Sequence, residues 1–302
     1  MSGQPAIQTR GLTKYYGDFP ALVDLDLEVH RGEVFGFLGP NGAGKSTTIR
    51  TLLDEIRATR GSATILGMDT HAQPVEIRRR IGYVPGDLAM YPNLTGRDTL
   101  RYFANLRGGV EWAYVEQLSE RLEADLAKKI GDLSTGNRQK VALIQAFMNR
   151  PDLLLLDEPN SGLDPLMQRE FQDLMREVVA EDRTVFLSSH TLSEVERVAD
   201  RVGIIRHGEL VTVEGVANLR AKAIRRIELA FDGAVDLAPF EALPGAREVT
   251  ATDGRVSLSF DGDMEALLGT AMSTGALRDL STREADLEEI FLTYYRDAQV
   301  VA

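Results

Sequence analysis

Gly39-Pro40-Asn41-Gly42-Ala43-Gly44-Lys45-Ser46 lies between the apolar run Val34 to Leu38 and a stretch in which Ile49, Leu52, Leu53 and Ile56 recur at i, i+3, i+4 and i+7. The first flank reads as a buried strand and the second as an amphipathic helix. Gly39, Gly42 and Gly44 lack a Cβ, so the backbone between strand and helix can turn successive N–H groups toward an anion. Lys45 adds a point charge for terminal phosphates, and the Ser46 hydroxyl is placed to ligate Mg²⁺. Phosphates held there would sit at a helix N-terminus, where orphan N–H groups and the helix dipole favour negative charge. The stretch predicts an α/β chain that binds a nucleotide.

Leu153-Leu154-Leu155-Leu156-Asp157-Glu158-Pro159 puts two acids at the carboxyl end of a second buried strand, the edge of an open α/β sheet where ligands bind. Asp157 is the expected Mg²⁺ ligand and Glu158 the general base for an attacking water. Alone, Asp157 would read as the cap of a following helix; beside the phosphate loop it reads as a ligand. His190 follows the apolar run Thr184 to Ser188 and so reaches the same edge, where an imidazole could hydrogen-bond a γ-phosphate. Leu133-Ser134-Thr135-Gly136-Asn137 opens a long helix and offers either a good N-cap or a second anion site.

The 302 residues suffice for two domains, and 34 basic against 46 acidic side chains give a net charge of −12. That balance argues against nucleic acid as the main partner. The chain has no cysteine, which excludes disulfides and thiol chemistry and fits a reducing cytosol. Met1 to Arg10 lacks the regions of a signal peptide, and no stretch approaches the length of a bilayer span.

Around these motifs the pattern is readable. Leu25, Leu27 and Val29 alternate with Asp26 and Glu28 as in a half-buried antiparallel strand, and Ser62 to Leu66 reads as another strand. From Asp87 to Asn149 the pattern turns helical. Thr95 with Asp98 starts one helix, Val115, Leu118, Leu122 and Leu126 line a second, and a third runs from about Ser134. Thr191 and Glu194 form a capping box, and Val202 to Val213 reads as a hairpin turning at His207-Gly208. Beyond Lys222, Ile227, Leu229 and Phe231 alternate, Val249 and Val256 flank an Asp253-Gly254 turn, and Leu287, Ile290, Phe291 and Tyr294 line a last helix. Residues 1–222 are expected to form one domain, with a helical part at about 87–150, and 223–302 a small α+β domain.

The phosphate loop, the signature-like Leu133 to Asn137, Ser161-Gly162-Leu163-Asp164 and His190 stand in the order and spacing of the ATP-binding cassette (ABC) family, which residues 5–220 resemble. The resemblance implies a P-loop NTPase cassette with an antiparallel β subdomain and a helical insertion. It implies ATP and Mg²⁺ as cofactors, with Gly39, Asn41, Gly42, Gly44, Lys45, Ser46 and Thr47 around the nucleotide and Tyr16 stacked on adenine, although Tyr15 competes for that place. It also implies a homodimer in which Ser134, Gly136 and Asn137 touch the γ-phosphate on the partner and Asp164 links the two sites. Hydrolysis would rest on Lys45, Glu158 and His190, with Ser46 and Asp157 on the metal.

Three positions depart from the family pattern. Gly86, followed by Asp87, stands where a Gln usually contacts the metal and the water; Asn137 replaces a Gln and Asn160 a Thr. Either Asp87 or water substitutes at the first, or the loop has become mainly a mechanical link. With no membrane span of its own, such a chain would power separate transmembrane permease subunits from the cytoplasmic face of the membrane. Met90, Tyr91, Pro92 and Leu94 are candidates for the apolar contact with them. The ending Asp286 to Leu292 is similar to that of ABC-2 type exporter ATPases, including drug and antibiotic efflux systems. An importer ATPase and a nucleotide-switched regulatory protein are the alternatives.

Overall fold

The computed structural model describes residues 4–222, 225–233 and 235–283. Its contacts separate two units, Met1–Val216 and Ala217–Ala302. The first begins with β1 (Ile7–Tyr16), β2 (Phe19–Leu25), β3 (Glu28–Val29), β4 (Val34–Leu38), α1 (Lys45–Leu52), β5 (Arg60–Ile65) and β6 (Met68–Asp69). After α2 (Pro74–Arg80) and β7 (Ile81–Val84) come three helices, α3 (Gly96–Leu106), α4 (Trp112–Arg121) and α5 (Thr135–Phe147). Strands and helices then alternate as β8 (Leu153–Asp157), α6 (Pro165–Ala180), β9 (Thr184–Ser189), α7 (Leu192–Glu196), β10 (Arg201–Arg206) and β11 (Glu209–Gly215); the next helix, α8 (Val216–Lys222), begins on the last residue of this unit.

Two sheets result. One is antiparallel, in the order β2-β1-β5-β6 with β3 also on β1; the other runs β11-β10-β4-β9-β8-β7 and is parallel except for β11. Strands β4 and β8 are buried at all five positions, which is why their sequences show no alternation. Ile7, Leu25 and Ile65 of the antiparallel sheet share one core with Phe35, Phe37, Leu155 and Phe186 of the parallel one, and Ile49 and Leu52 of α1 join them. Phe186 stacks on Phe35 at 5.9 Å between ring centres. Each such side chain contributes roughly 1.5–3 kcal/mol by leaving water.

Helix starts follow local chemistry. Thr95 Oγ1 accepts from the Asp98 amide at 3.0 Å, and Asp164 Oδ1 accepts from the amides of Leu166 and Met167, both at 3.0 Å. Several expectations need correction. The alternating stretch Leu25 to Val29 has the expected burial but is divided between β2 and β3. The helix expected to start at Thr95 does so, with Gly96 its first residue, but α4 ends at Arg121, so Leu122 and Leu126 are buried beyond its end, where Glu123 takes φ 48°. Thr191 forms no side-chain cap: the Ser189 hydroxyl reaches Glu194 Oε2 at 2.7 Å and accepts from the Thr191 amide at 3.0 Å, in place of the capping box. The helix α2, opened by Pro74, was not legible in the apolar pattern because Ile77 is its only buried residue.

The second unit comprises β12 (Arg225–Phe231), α9 (Ala238–Glu241), β13 (Ala246–Thr252), β14 (Arg255–Phe260), α10 (Met264–Thr274) and β15 (Leu277–Arg283). Its sheet order β13-β14-β12-β15, with every neighbour antiparallel, is the split βαβ arrangement of a βαββαβ chain. Ile227, Leu229 and Phe231 pack with Val256, Leu258, Phe260, Phe240 and Leu267. The β13–β14 hairpin turns at Asp253 (φ 49°) and Gly254 (φ 75°), as the sequence indicates. The expected last helix and the stretch Asp286 to Leu292 lie outside the described residues.

Candidate nucleotide site at the sheet edge

The parallel register sets where the site residues emerge. Leu38 is level with Ser189, and Asp157 with Ser188, so the chain leaves β4, β8 and β9 at one edge and continues into Gly39, Glu158 and His190. Backbone bonds fix the exits: the Gly39 amide donates to the Ser189 carbonyl and the Glu158 amide to the Ser188 carbonyl, each at 3.2 Å. Past β4 the loop turns with φ 80° at Gly42 and 111° at Gly44, a conformation costly for any other residue, and delivers Lys45 as the first residue of α1. Ser46 is exposed at the helix start.

Lys45, 5 % exposed, donates to the carbonyls of Gly39 at 2.6 Å and Pro40 at 3.3 Å. Its Nζ lies 3.2 Å from Glu158 Oε1. That contact is an ion pair without hydrogen-bond geometry, since Oε1 is buried and accepts no hydrogen bond. The other carboxylate oxygen of Glu158 meets His190 Nδ1 at 2.8 Å. Lys45, Glu158 and His190 thus form one continuous chain of contacts, with Glu158 itself at φ 50°. Asp157 is buried, and its Oδ1 accepts from the Ser188 hydroxyl at 2.5 Å. Its Oδ2 faces Gly86, where an added Cβ would come within 3.1 Å. The position expected to carry a long side chain has none, and it lies so close to the buried acid that even a Cβ would crowd the carboxylate.

Ser134 caps α5, its Oγ accepting from the Asn137 amide at 3.2 Å. The Asn137 side chain is turned to its own chain and accepts from the Asp125 amide at 3.3 Å. Gly136 is in close contact with the Gly162 carbonyl, 2.4 Å from where a Cβ would stand. Among the described residues, no hydrogen bond or ion pair joins Ser134, Gly136 or Asn137 to Lys45 or Glu158. Asp164 is exposed, and the amides of Met167 and Leu166 hold its carboxyl below the usual range. Tyr16, 47 % exposed at the end of β1, has Lys14 Nζ 5.1 Å from its ring centre. It pairs across the hairpin with Phe19, which is 63 % exposed.

Sequence reasoning missed four contributors. Phe19 lies too near a turn for periodicity to flag it. Ser188 orients Asp157 only because two strands are in register. The buried Gln139 donates to the Pro159 carbonyl at 2.8 Å, tying α5 to the acid-bearing turn. Finally, a groove of about 920 Å³ beside β7 brings together residues of α1's end, α2, α3 and α5. Met90 lines it; Tyr91, Pro92 and Leu94 do not, Tyr91 packing edge-on against Tyr102 at 5.6 Å.

A family model described as ABC transporter matches residues 22–161. The daunorubicin/doxorubicin resistance ATP-binding protein DrrA of Streptomyces peucetius is 33 % identical over 312 residues, covering 97 % of this chain and 93 % of that protein. The probable multidrug ABC transporter ATP-binding protein YbhF of Escherichia coli is 38 % identical over 226 residues, 73 % of this chain; the match spans only 39 % of that longer protein. Among solved structures, the one described as the dimeric structure of MJ0796, a bacterial ABC transporter cassette, superposes with a TM-score of 0.65 at 25 % identity, over 70 % of this chain and 98 % of that one.

Proposed function

The chain belongs to the ABC transporter family as one of its ATP-binding proteins, and from that premise we propose that it hydrolyses ATP to drive export through separate transmembrane permease subunits. The observation that carries the proposal is the contact chain Lys45–Glu158–His190 at the mouth of the phosphate loop. Glu158 serves as general base to the attacking water, His190 orients it and contacts the γ-phosphate, and Lys45 neutralises the terminal phosphates. Gly39, Asn41, Gly42, Gly44 and Thr47 line the phosphates, and Tyr16 stacks on adenine.

The residues fit a magnesium ion. Ser46 offers an exposed hydroxyl and Asp157 the carboxylate oxygen Oδ2, which is not the one bonded to Ser188, and Mg²⁺ takes few protein ligands when phosphates supply the rest. When bound, the ion neutralises charge developing on the transferred phosphoryl group.

Ser134, Gly136 and Asn137 have no bond to the site of their own chain, which supports their service to the nucleotide of a second copy in a homodimer, with Asp164 linking the two sites. The fold of the dimeric cassette supports the same reading. Among the described residues no helix is long and apolar enough to cross a membrane, so a seat at the cytoplasmic face requires a permease. The 920 Å³ groove is the surface for it. The drug-resistance names of the relatives support export of drug-like or antibiotic molecules. The cassette is taken to end near residue 222, with 223–302 accessory to it.

Gly86 favours one second reading: without a side chain beside Asp157, hydrolysis is slow and ATP acts mainly as an association switch. Phosphate release by the purified chain, alone and with the permease that co-purifies with it, tests both. Turnover abolished by Lys45→Ala supports the first; ATP-dependent dimerisation without turnover in either setting refutes it.

A further inference from the structure

Asn41 and Gly42 are the middle pair of a tight turn in the phosphate loop, closed by the Ala43 amide donating to the Pro40 carbonyl at 3.1 Å. Both are exposed. Among the described residues, neither the Asn41 side chain nor the Gly42 amide makes a hydrogen bond. A Cβ at Gly42 would meet nothing within 4 Å, so no neighbour obstructs rotation of the peptide that joins the two residues. An unbonded side-chain amide thus stands beside an unbonded main-chain nitrogen that no Cβ crowds.

Of the seven asparagines, Asn41 alone precedes a glycine. The other six precede Leu, Arg or Ser, whose Cβ stands next to the corresponding nitrogen. Asn160–Ser161, the least crowded of these pairs, is closed in another way: Asn160 is buried, and the Ser161 amide donates to the Glu158 carbonyl at 3.2 Å. The Leu94 amide after Asn93 is likewise engaged, by the Tyr91 carbonyl at 3.2 Å.

We propose that Asn41 is a site of spontaneous deamidation that disables the phosphate loop and that bound nucleotide shields. The Gly42 nitrogen attacks the side-chain carbonyl carbon of Asn41. A C–N bond forms and closes a cyclic imide, the bond to the side-chain nitrogen breaks, and the amide proton leaves with that nitrogen as ammonia. Water then opens the imide at either carbonyl, giving aspartate or isoaspartate. One water is consumed and one ammonia released; nothing is oxidised or reduced. Either product puts a carboxylate where phosphates are to sit, and isoaspartate also lengthens the main chain by a methylene, which draws apart the amides that follow. A phosphate engaging the Gly42 amide restrains the nucleophile. The shielding rests on the reading of Gly39 to Ser46 as the phosphate site and deepens it: an idle cassette wears out and an occupied one does not.

The test ages the purified full chain in warm, mildly alkaline buffer, with and without a non-hydrolysable ATP analogue, before digestion with trypsin and mass spectrometry. The peptide Gly32 to Lys45 has Asn41 as its sole asparagine. It is expected to gain the mass of –OH in place of –NH2 before any other asparagine peptide does. Analogue at about a hundred times its dissociation constant lowers that rate by up to about a hundredfold, because so little chain stays unliganded. Converted chain, separated by its extra charge, binds the analogue about a hundredfold more weakly or worse. Asn41→Asp does the same in fresh protein, and its urea midpoint stays near that of the parent, as befits an exposed position. No conversion at Asn41, conversion indifferent to bound analogue, or undiminished binding by the converted chain and by Asn41→Asp overturns the inference, and the nucleotide reading survives as long as fresh parent chain binds the analogue in equilibrium dialysis. Fresh parent chain that binds none overturns both.

Discussion

Gly136→Ala pits stability against function in a way the structure allows to be estimated. The new methyl would stand 2.4 Å from the Gly162 carbonyl oxygen, roughly 1 Å inside ordinary van der Waals separation. Both partners are backbone, so no side chain can swing aside; the start of α5 and the loop at Gly162 must part. Overpacking of this kind costs about 1–3 kcal/mol, and the better helix propensity of alanine returns up to about 1 kcal/mol. The net loss is therefore about 0–3 kcal/mol, which leaves the fold intact. The displacement matters more. Moving a positioned group by about 1 Å costs on the order of 100-fold in rate, equivalent to about 2.7 kcal/mol in the barrier. Urea unfolding of the full chain measures the first number; steady-state phosphate release and ATP-dependent dimerisation measure the second. Gly269→Ala is the control: it lies in α10 with open space around it, so it should stabilise slightly and leave hydrolysis unchanged. Hydrolysis and dimerisation within threefold of the parent for Gly136→Ala would refute the view that the close approach of α5 to Gly162 positions Ser134 and Asn137.

Three further outcomes are expected. Glu158→Gln should slow hydrolysis by about 10²- to 10⁴-fold while retaining ATP, as read by single-turnover phosphate release and equilibrium dialysis; a rate near that of the parent removes Glu158 from the role of base. Arg121 holds Glu170 at 2.5 Å and Glu177 through two bonds at 2.7 and 2.8 Å, so Arg121→Met should cost about 1 kcal/mol at neutral pH, the exposure of Glu177 keeping the figure low. The hydrogen bond from Arg121 lowers the folded-state pKa of Glu177, so this stabilisation is complete above the ordinary glutamate range and fades as pH falls through the lowered value. The gap in urea midpoint between parent and variant should narrow in acid; a gap constant with pH contradicts the linkage. Tyr16→Ala should weaken binding of a fluorescent ATP analogue by on the order of tenfold, as loss of a base stack does, and Phe19→Ala should do less. The reverse ranking transfers the stacking role to Phe19.

Much of the site was readable because its chemistry depends on residue types at short, fixed separations. Gly39 to Ser46 needs only its own glycines and its flanking strand and helix, and Asp157-Glu158 only the run of leucines before it. What stayed hidden depends on register. No local pattern says that Ser188 faces Asp157, which follows from β8 and β9 lying level. Nor could spacing reveal that Gly162 presses on Gly136, or that Arg78 and Arg79 of α2 and Arg107, just beyond α3, collect around one groove. Thr191 shows the opposite hazard: the right residues for a capping box were present, but Ser189, at the end of β9, lay nearer to Glu194 and took the bond. The helix α2 escaped because a single apolar residue makes no period.

The amides of Gly39 and Glu158, bonded to successive carbonyls of β9, act as a ruler cut from the main chain. Distances among the working groups are thereby set by peptide geometry, which every residue type shares, and not by the bulk of neighbouring side chains. Residues in the surrounding turns can therefore be exchanged without the calibration drifting.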